Sequence, residues 1–402
     1  MGRRERWRRR GRHAGERRRP GGSDLPARAR SAAPYDASKK RARGRRGLLL
    51  APCGERGVLQ RTGWPWRHDS QRTLRCPVVG QTGDGARMMG ALKRGMESAF
   101  LGLASLIPAQ LMAHLLFLLR NRPNLTDRWG YHIRAVHYYE PIPDFRRITP
   151  AQLARQRVSP AIDFRITGQR TLLRRLGESF GAEIVELAGK PEPSGFDFAN
   201  PYCSGLDAAA YYALIRDLGP AVVLEIGSGY STQIASKALE RNVEAGKPGK
   251  LLCVEPYPEP RLTASSARFE LVTTKVQDLP LEFFDRLGAN DILMIDSSHV
   301  ATVGSDVCFE LLEILPRLKP GVWVHVHDIF FPTDYPAEWV LERRQAFNEQ
   351  YVLEAFLAFN SRFSVQLANA WMWRHEHETA SLLFDGADTV APPASFWMRR
   401  EA

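Results

Sequence analysis

Cysteine is scarce in this chain. Five occur in 402 residues, at Cys53, Cys76, Cys203, Cys253 and Cys308, and no two form a C-x-x-C pair. That leaves no paired-thiol redox motif or disulfide framework to read. Cys253 lies in an apolar, strand-like run and Cys308 in a helical one, so reduced, buried thiols of a cytoplasmic protein are expected. Acidic residues are scarce at the N-terminus: residues 1–87 hold 24 Lys and Arg against 7 Asp and Glu. Aliphatic residues are also few there, so the stretch cannot bury enough apolar surface to offset chain entropy, and disorder is expected. Arginine outnumbers lysine in it by 22 to 2, a bias that suits translation of a GC-rich region upstream of a true start at Met88-Met89. The remainder, 88–402, has 32 basic and 37 acidic residues, so the net charge of +12 does not describe the body of the protein. A nucleic-acid partner is therefore not expected, although "KKRARGRR" resembles a nuclear signal by composition. No apolar h-region follows Met1, so no signal peptide is read there.

Long apolar runs are nearly absent as well. The one candidate is 99–119, "AFLGLASLIPAQLMAHLLFLL", with 16 apolar residues in 21 and Lys93, Arg94, Arg120 and Arg122 on its flanks. Its length suits a membrane span, but Pro108, Gln110 and His114 interrupt it. A core or interfacial helix with peripheral membrane contact is the expectation. Residues 130–145 are aromatic and proline-broken and read as irregular. Helical patterning follows around 149–156 and 168–188, and 189–202 reads as a linker. Three segments result: a basic extension 1–87, a helical and irregular region 88–195, and a folded domain 196–402.

From Ser204 onward the pattern alternates. "SGLDAAAYYALIRDL" opens a helix with Ser204 and Asp207 in a capping-box-like spacing. Apolar strands then alternate with helices: "AVVLEIG", "KLLCVEP", "FELVTTKV", "DILMIDS" and "GVWVHVHDIF", followed by "FSVQLANAW" and "ASFWMRR". Between the last strand pair and the fifth strand, residues 336–359 supply one long or two short helices. Continuous apolar strands between helices imply an α/β fold with a parallel sheet covered on both faces. Ligands of such sheets sit at the carboxyl ends of the strands.

The notable polar residues fall at those ends. Glu225, Gly227 and Gly229 follow the first strand and Glu255 ends the second. Gln277 and Asp278 follow the third, Asp296 and His299 the fourth, and His327 and Asp328 the fifth. One cleft built from five loops is the expectation. Here too an absence is informative. The dinucleotide fingerprint G-x-G-x-x-G needs a third glycine, and this chain has Thr232 at that position, which argues against a bound pyrophosphate.

These residues resemble class I S-adenosylmethionine-dependent methyltransferases over about residues 196–402. The resemblance implies a doubly wound, Rossmann-like, mostly parallel seven-stranded sheet ending in an antiparallel hairpin. It also implies that S-adenosylmethionine lies against Glu225, Gly227, Gly229, Glu255, Gln277, Asp278 and Asp296. Glu255, with two acceptor oxygens, suits a ribose diol. "LMIDSSH" and "VHVHDIF" resemble the metal-dependent O-methyltransferases, which implies a divalent ion (Mg, Mn or Fe) on Asp296, His327 and Asp328. His299 occupies the position of the base that takes the acceptor's proton. The implied acceptor is an oxygen of a small molecule or glycan. Two other readings remain open: an NAD(P)-dependent oxidoreductase on the same sheet, and a tethered, non-catalytic binding protein. Trp339 and Arg343 are candidates for the acceptor pocket, and His325, facing the other side of its strand from His327, is expected to be packing. "NPY" at Asn200 precedes the first strand and lacks a second proline, so it does not read as the N-P-P-Y motif of amino-methyltransferases.

Overall fold

The computed structural model describes residue 102 and residues 106–402, apart from 158, 190–195, 266 and 386–391. The basic extension, its expected disorder and the start expected at Met88 lie outside the described residues, as does most of 99–105. The apolar run emerges as helix α1, Ala109–Arg120, entered at Pro108. Proline has no N–H to donate and is tolerated only at a helix start, which is why the helix begins there. Among the described residues, no helix is long and apolar enough to cross a membrane.

Helix α2, Ile166–Ala188, and helix α3, Gly205–Leu218, precede the sheet. Strand β1 is Val222–Ile226, followed by helix α4, Tyr230–Glu244, and strand β2, Lys250–Val254. Strands β3, Glu270–Val272, β4, Ile292–Ile295, and β5, Trp323–Val326, complete the parallel part. Helix α5, Glu349–Leu357, leads to strand β6, Phe363–Ala368, and strand β7, Phe396–Arg400, closes the chain. The sheet order is β3-β2-β1-β4-β5-β7-β6. β7 lies antiparallel between β5 and β6, with a bulge between Val365 and Leu367. This is the seven-stranded, doubly wound arrangement the sequence implies.

Alternation along the strands divides the core into two layers. Val223, Ile292 and Met294 pack with α2, α3 and α4 on one face. Leu224, Leu293, Ile295 and Val324 pack on the other with Leu311, Ile314 and the α5 residues Leu353 and Leu357. The α2 residues Leu173, Leu176 and Ile184 are fully buried in the first layer. The helix ahead of the linker therefore shares the core of the sheet, across the segment boundary read at 196. Two local expectations are corrected. Ser204 makes no side-chain cap; the Asp207 carboxylate instead accepts from Ala394 N (2.7 Å), Ser395 N (3.0 Å) and Asn369 Nδ2 (2.8 Å), tying α3 to the strand before the C-terminus. The helical run expected around Cys308 starts at Asp306–Phe309 but widens to a π-helical turn over Glu310–Ile314. Pro316 cannot donate back to residue 312, and the buried Glu310 carboxylate is drawn to Ser297 Oγ at 2.9 Å.

Leu224 sits on the central strand with no exposed surface. Leu224→Ala is expected to destabilise the fold by about 2–5 kcal/mol, read from the urea midpoint at constant slope.

Candidate active site

The order of the sheet reverses at β1, whose neighbours are β2 on one side and β4 on the other. Chains leaving β1 and β4 diverge, and the crevice between their carboxyl ends is where such sheets bind ligands. Here backbone bonds lock the ends to their neighbours: Asp296 N donates to Ile226 O at 2.9 Å across the crevice, joining the end of β4 to β1, and Gly227 N donates to Val254 O at 3.0 Å, joining β1 to β2. Gly227 has φ +83°, and a Cβ on it would lie 2.0 Å from the Asp296 carbonyl oxygen. Glycine at 227 is thus demanded by the close approach of the parallel β1 and β4 ends, independently of any ligand contact its place in G-x-G implies. Gly229 differs: a Cβ there meets nothing within 4 Å, so this glycine borders open space that a side chain would fill.

Glu225 was expected to touch the cofactor, and the structure places it elsewhere. It is fully buried beneath the loop; Oε1 accepts from Tyr211 Oη at 2.9 Å and Oε2 from Thr232 Oγ1 at 2.5 Å. Thr232 Oγ1 also accepts from Gly229 N at 3.1 Å. The residue in the third-glycine position is therefore a bridge that fixes the loop onto Glu225. Burial, opposed by those hydrogen bonds, raises the Glu225 carboxyl to about 7. Glu255 lies at the crevice mouth, accepting from Ser228 N (3.3 Å) and Tyr257 N (2.7 Å). Gln277 reaches Gly304 O at 3.4 Å, and Asp278 is exposed one residue on.

The titratable cluster forms at the ends of β4 and β5. His299 and Asp328 both occupy the left-handed region, with φ +61° and +57°, a strained backbone concentrated where strands end. His299 Nε2 lies 3.4 Å from Asp296 and 3.3 Å from Asp328, and Nδ1 lies 2.8 Å from Glu349 Oε2. One imidazole thus sits among three carboxylates. Burial disfavours the charged ring, but hydrogen bonds to Asp296 and Glu349 outweigh it, holding the His299 pKa well above the ordinary value. Against burial, the charges of His327 and His299 hold Asp296 down at about 2. Burial pushes both Asp328 and Glu349 up. Asp296 keeps 31% of its side chain exposed, so the cluster opens toward the cleft.

Ligand atoms of Asp296, His299 and Asp328 lie within 4.8 Å of one another, so these three can hold a cation together. His327, read as the histidine of that set, is placed slightly apart: Nε2 is 3.8 Å from Asp328 and 3.3 Å from Tyr202 O. Its buried Nδ1 has no hydrogen-bond partner among the described residues. His325 stacks on Trp397 at 4.5 Å on the other face, as expected for packing. The Asn200 side chain is spent on its own turn, accepting from Tyr202 N and Cys203 N. Trp339 packs edge-on against Phe330 and Phe347, whereas Arg343 pairs with exposed Glu338. Phe347 in turn packs 5.0 Å from the His299 ring, giving the cluster an aromatic wall.

Glu349 was not foreseen. Only one sequence signal could have found it: it heads the buried i, i+4, i+8 stripe Glu349, Leu353, Leu357, where an apolar residue is the norm. The backbone N–H groups of Asn348 and Glu349 both point at His299 O (3.0 and 3.3 Å), so the start of α5 also clamps the loop.

Gly229→Val should leave the unfolding midpoint in place but weaken S-adenosylmethionine binding at least about tenfold by calorimetry, since it fills the open space; Gly227→Ala should lower the midpoint outright. Glu225 supplies a pH test. An unfolded glutamate titrates near 4.3. Between roughly that value and 7 the folded state holds a proton the unfolded chain has lost, so this contribution to stability declines as pH rises through the window. Glu225→Gln should flatten that decline in urea midpoints measured from pH 4.5 to 8.

Residues 224–329 match a family model described as a methyltransferase domain. An uncharacterized protein of Archaeoglobus fulgidus is 29% identical over 174 residues, which span 39% of this chain and 74% of the relative. Among solved structures, the O-methyltransferase TomG from Streptomyces achromogenes is similar at 14% identity and a TM-score of 0.32, covering 62% of this chain and 93% of TomG. An O-methyltransferase from Bacillus cereus is similar at 14% identity and a TM-score of 0.30, covering 57% and 91% of the two chains. The family match runs from β1 to the end of β5, the segment that carries the glycine loop and the carboxylate cluster, and the C-terminal hairpin is antiparallel, which a plain nicotinamide domain does not predict. The resemblance to class I S-adenosylmethionine-dependent methyltransferases is thus matched by the methyltransferase-domain model over residues 224–329 and by the order of the seven-stranded sheet.

Proposed function

We propose that the protein transfers a methyl group to a hydroxyl oxygen of a small molecule or glycan. The observation that carries this reading is the convergence of Asp296, Asp328 and His299 beside the glycine loop, with His299 held from behind by Glu349. S-adenosylmethionine supplies the methyl group on a sulfonium sulfur. The residues present suit it: open space at Gly229, the Glu255 carboxylate at the crevice mouth, and the partly exposed Asp296 carboxylate. Gly229 and Ser228 bring backbone close to the methionine part; Glu255 accepts from the ribose, and Gln277 and Asp278 flank the adenine side.

In the transfer, the S–CH3 bond breaks as the C–O bond forms, and the hydroxyl proton passes to His299 Nε2. Alignment of donor and acceptor provides most of the acceleration. Glu349 fixes the ring by accepting from Nδ1–H, which leaves Nε2 facing the cleft. Because Asp296 and Asp328 favour the charged ring, Nε2 becomes a base only when their charge is otherwise engaged. A divalent cation (Mg, Mn or Fe) would be held by Asp296 and Asp328, with His327 completing the set, and would supply that engagement and acidify the acceptor hydroxyl. The Phe347 ring beside His299, backed by Trp339, supports an acceptor with an apolar face.

The test is calorimetry with S-adenosylmethionine followed by a radiolabel-transfer screen of hydroxylated acceptors. Saturable binding is expected, and absence of binding by folded protein overturns the reading. His299→Gln should lower kcat by about 10²–10⁴ while leaving cofactor affinity unchanged. Glu349→Gln should reduce kcat less, with KM unchanged. Chelator should abolish transfer and added Mg or Mn restore it; transfer indifferent to chelator removes the cation and leaves the transferase.

A further inference from the structure

Among the described residues, helix α1 stands apart from every other long helix in having no buried residue. Its sequence, AQLMAHLLFLLR, is apolar over most of its circumference. Leu111, Leu115 and Leu118 share one side, while Leu116 and Phe117 carry the apolar surface round the helix; exposures reach 60% at Leu111 and 57% at Phe117. A helix that docks in a protein groove shows one apolar stripe, whereas one apolar nearly all round is suited to hydrocarbon.

The chain just past α1 has the other two features of a bilayer interface. Trp129, Tyr138 and Tyr139 are exposed, at 55%, 80% and 80%, as amphipathic rings are at the headgroup level. Arg120, Arg122 and Arg128 form no ion pair among the described residues, while the nearby acid Asp127 is turned to His132 at 3.4 Å. Three uncommitted guanidinium groups complement an anionic surface. At about 1.5 Å per residue the helix is roughly 18 Å long, too short for a hydrocarbon core of about 30 Å.

We propose that α1 is a docking element for an anionic lipid surface, lying in the headgroup region with its leucines and Phe117 inserted and the three arginines on lipid phosphates and carboxylates. This does not depend on the reaction assigned to the cleft. It fixes where the enzyme works rather than what it does.

The experiment is co-sedimentation of the full chain with vesicles of phosphatidylcholine alone and of phosphatidylcholine with phosphatidylserine. Partition onto the phosphatidylserine vesicles is expected. It should fall at least about tenfold with Arg120→Gln, Arg122→Gln and Arg128→Gln combined, and likewise with Leu115→Glu and Phe117→Glu combined. Neither set should move the unfolding midpoint, because α1 contributes nothing to the core. Partition unchanged in both variants, or no partition at all, overturns the proposal. So does light scattering that shows an α1-dependent dimer without lipid, which would make a second copy the occupant.

Discussion

The close approach of the parallel β1 and β4 ends at the switch point is the constraint on which the site depends. With a Cβ at 227 placed 2.0 Å from the Asp296 carbonyl oxygen, only glycine lets the two strand ends meet. That contact sets the base of the crevice. It aims the glycine loop along one wall and starts the Asp296–His299 turn on the other. The loop is then held by side chains that never reach the cleft: Tyr211, Thr232 and Glu225 form a buried relay whose only visible product is the position of Gly229 N.

Opposite that loop, the charge cluster carries the chemistry. Three carboxylates surround one imidazole, more acidic groups than the ring alone can pair. Burial makes such an arrangement costly unless the charges are paired and hydrogen-bonded. Here pairing is incomplete, since Glu349 Oε1 and His327 Nδ1 have no partner among the described residues. A cationic sulfonium, and a divalent cation at Asp296 and Asp328, suit this excess. The left-handed backbone at His299 and Asp328 belongs to the same economy, strain retained where strand ends must present side chains inward. The clamp from Asn348 and Glu349 holds that strain in place from a helix beyond the fifth strand.

The chain by itself determined the seven strands, their parallel core and the ring of polar residues at their carboxyl ends. Strand periodicity and apolar runs are local properties, and burial on both faces follows from them. It also determined that 227–229 is a backbone-presenting turn and that His325 packs away from His327, since neighbouring residues in a strand alternate faces. Tertiary structure alone decided which polar residues meet. Glu225 precedes the glycine turn and so reads as a ligand contact, yet its carboxylate points down into α3 and α4, where Tyr211 and Thr232 receive it. His299, rather than His327, lies between Asp296 and Asp328, because a positive φ turns its ring back over the strand ends. Glu349 comes from 50 residues away in sequence and heads an otherwise apolar stripe. No local pattern encodes that pairing; it exists because α5 packs across the β4 and β5 ends, and packing between distant elements is set by the whole core.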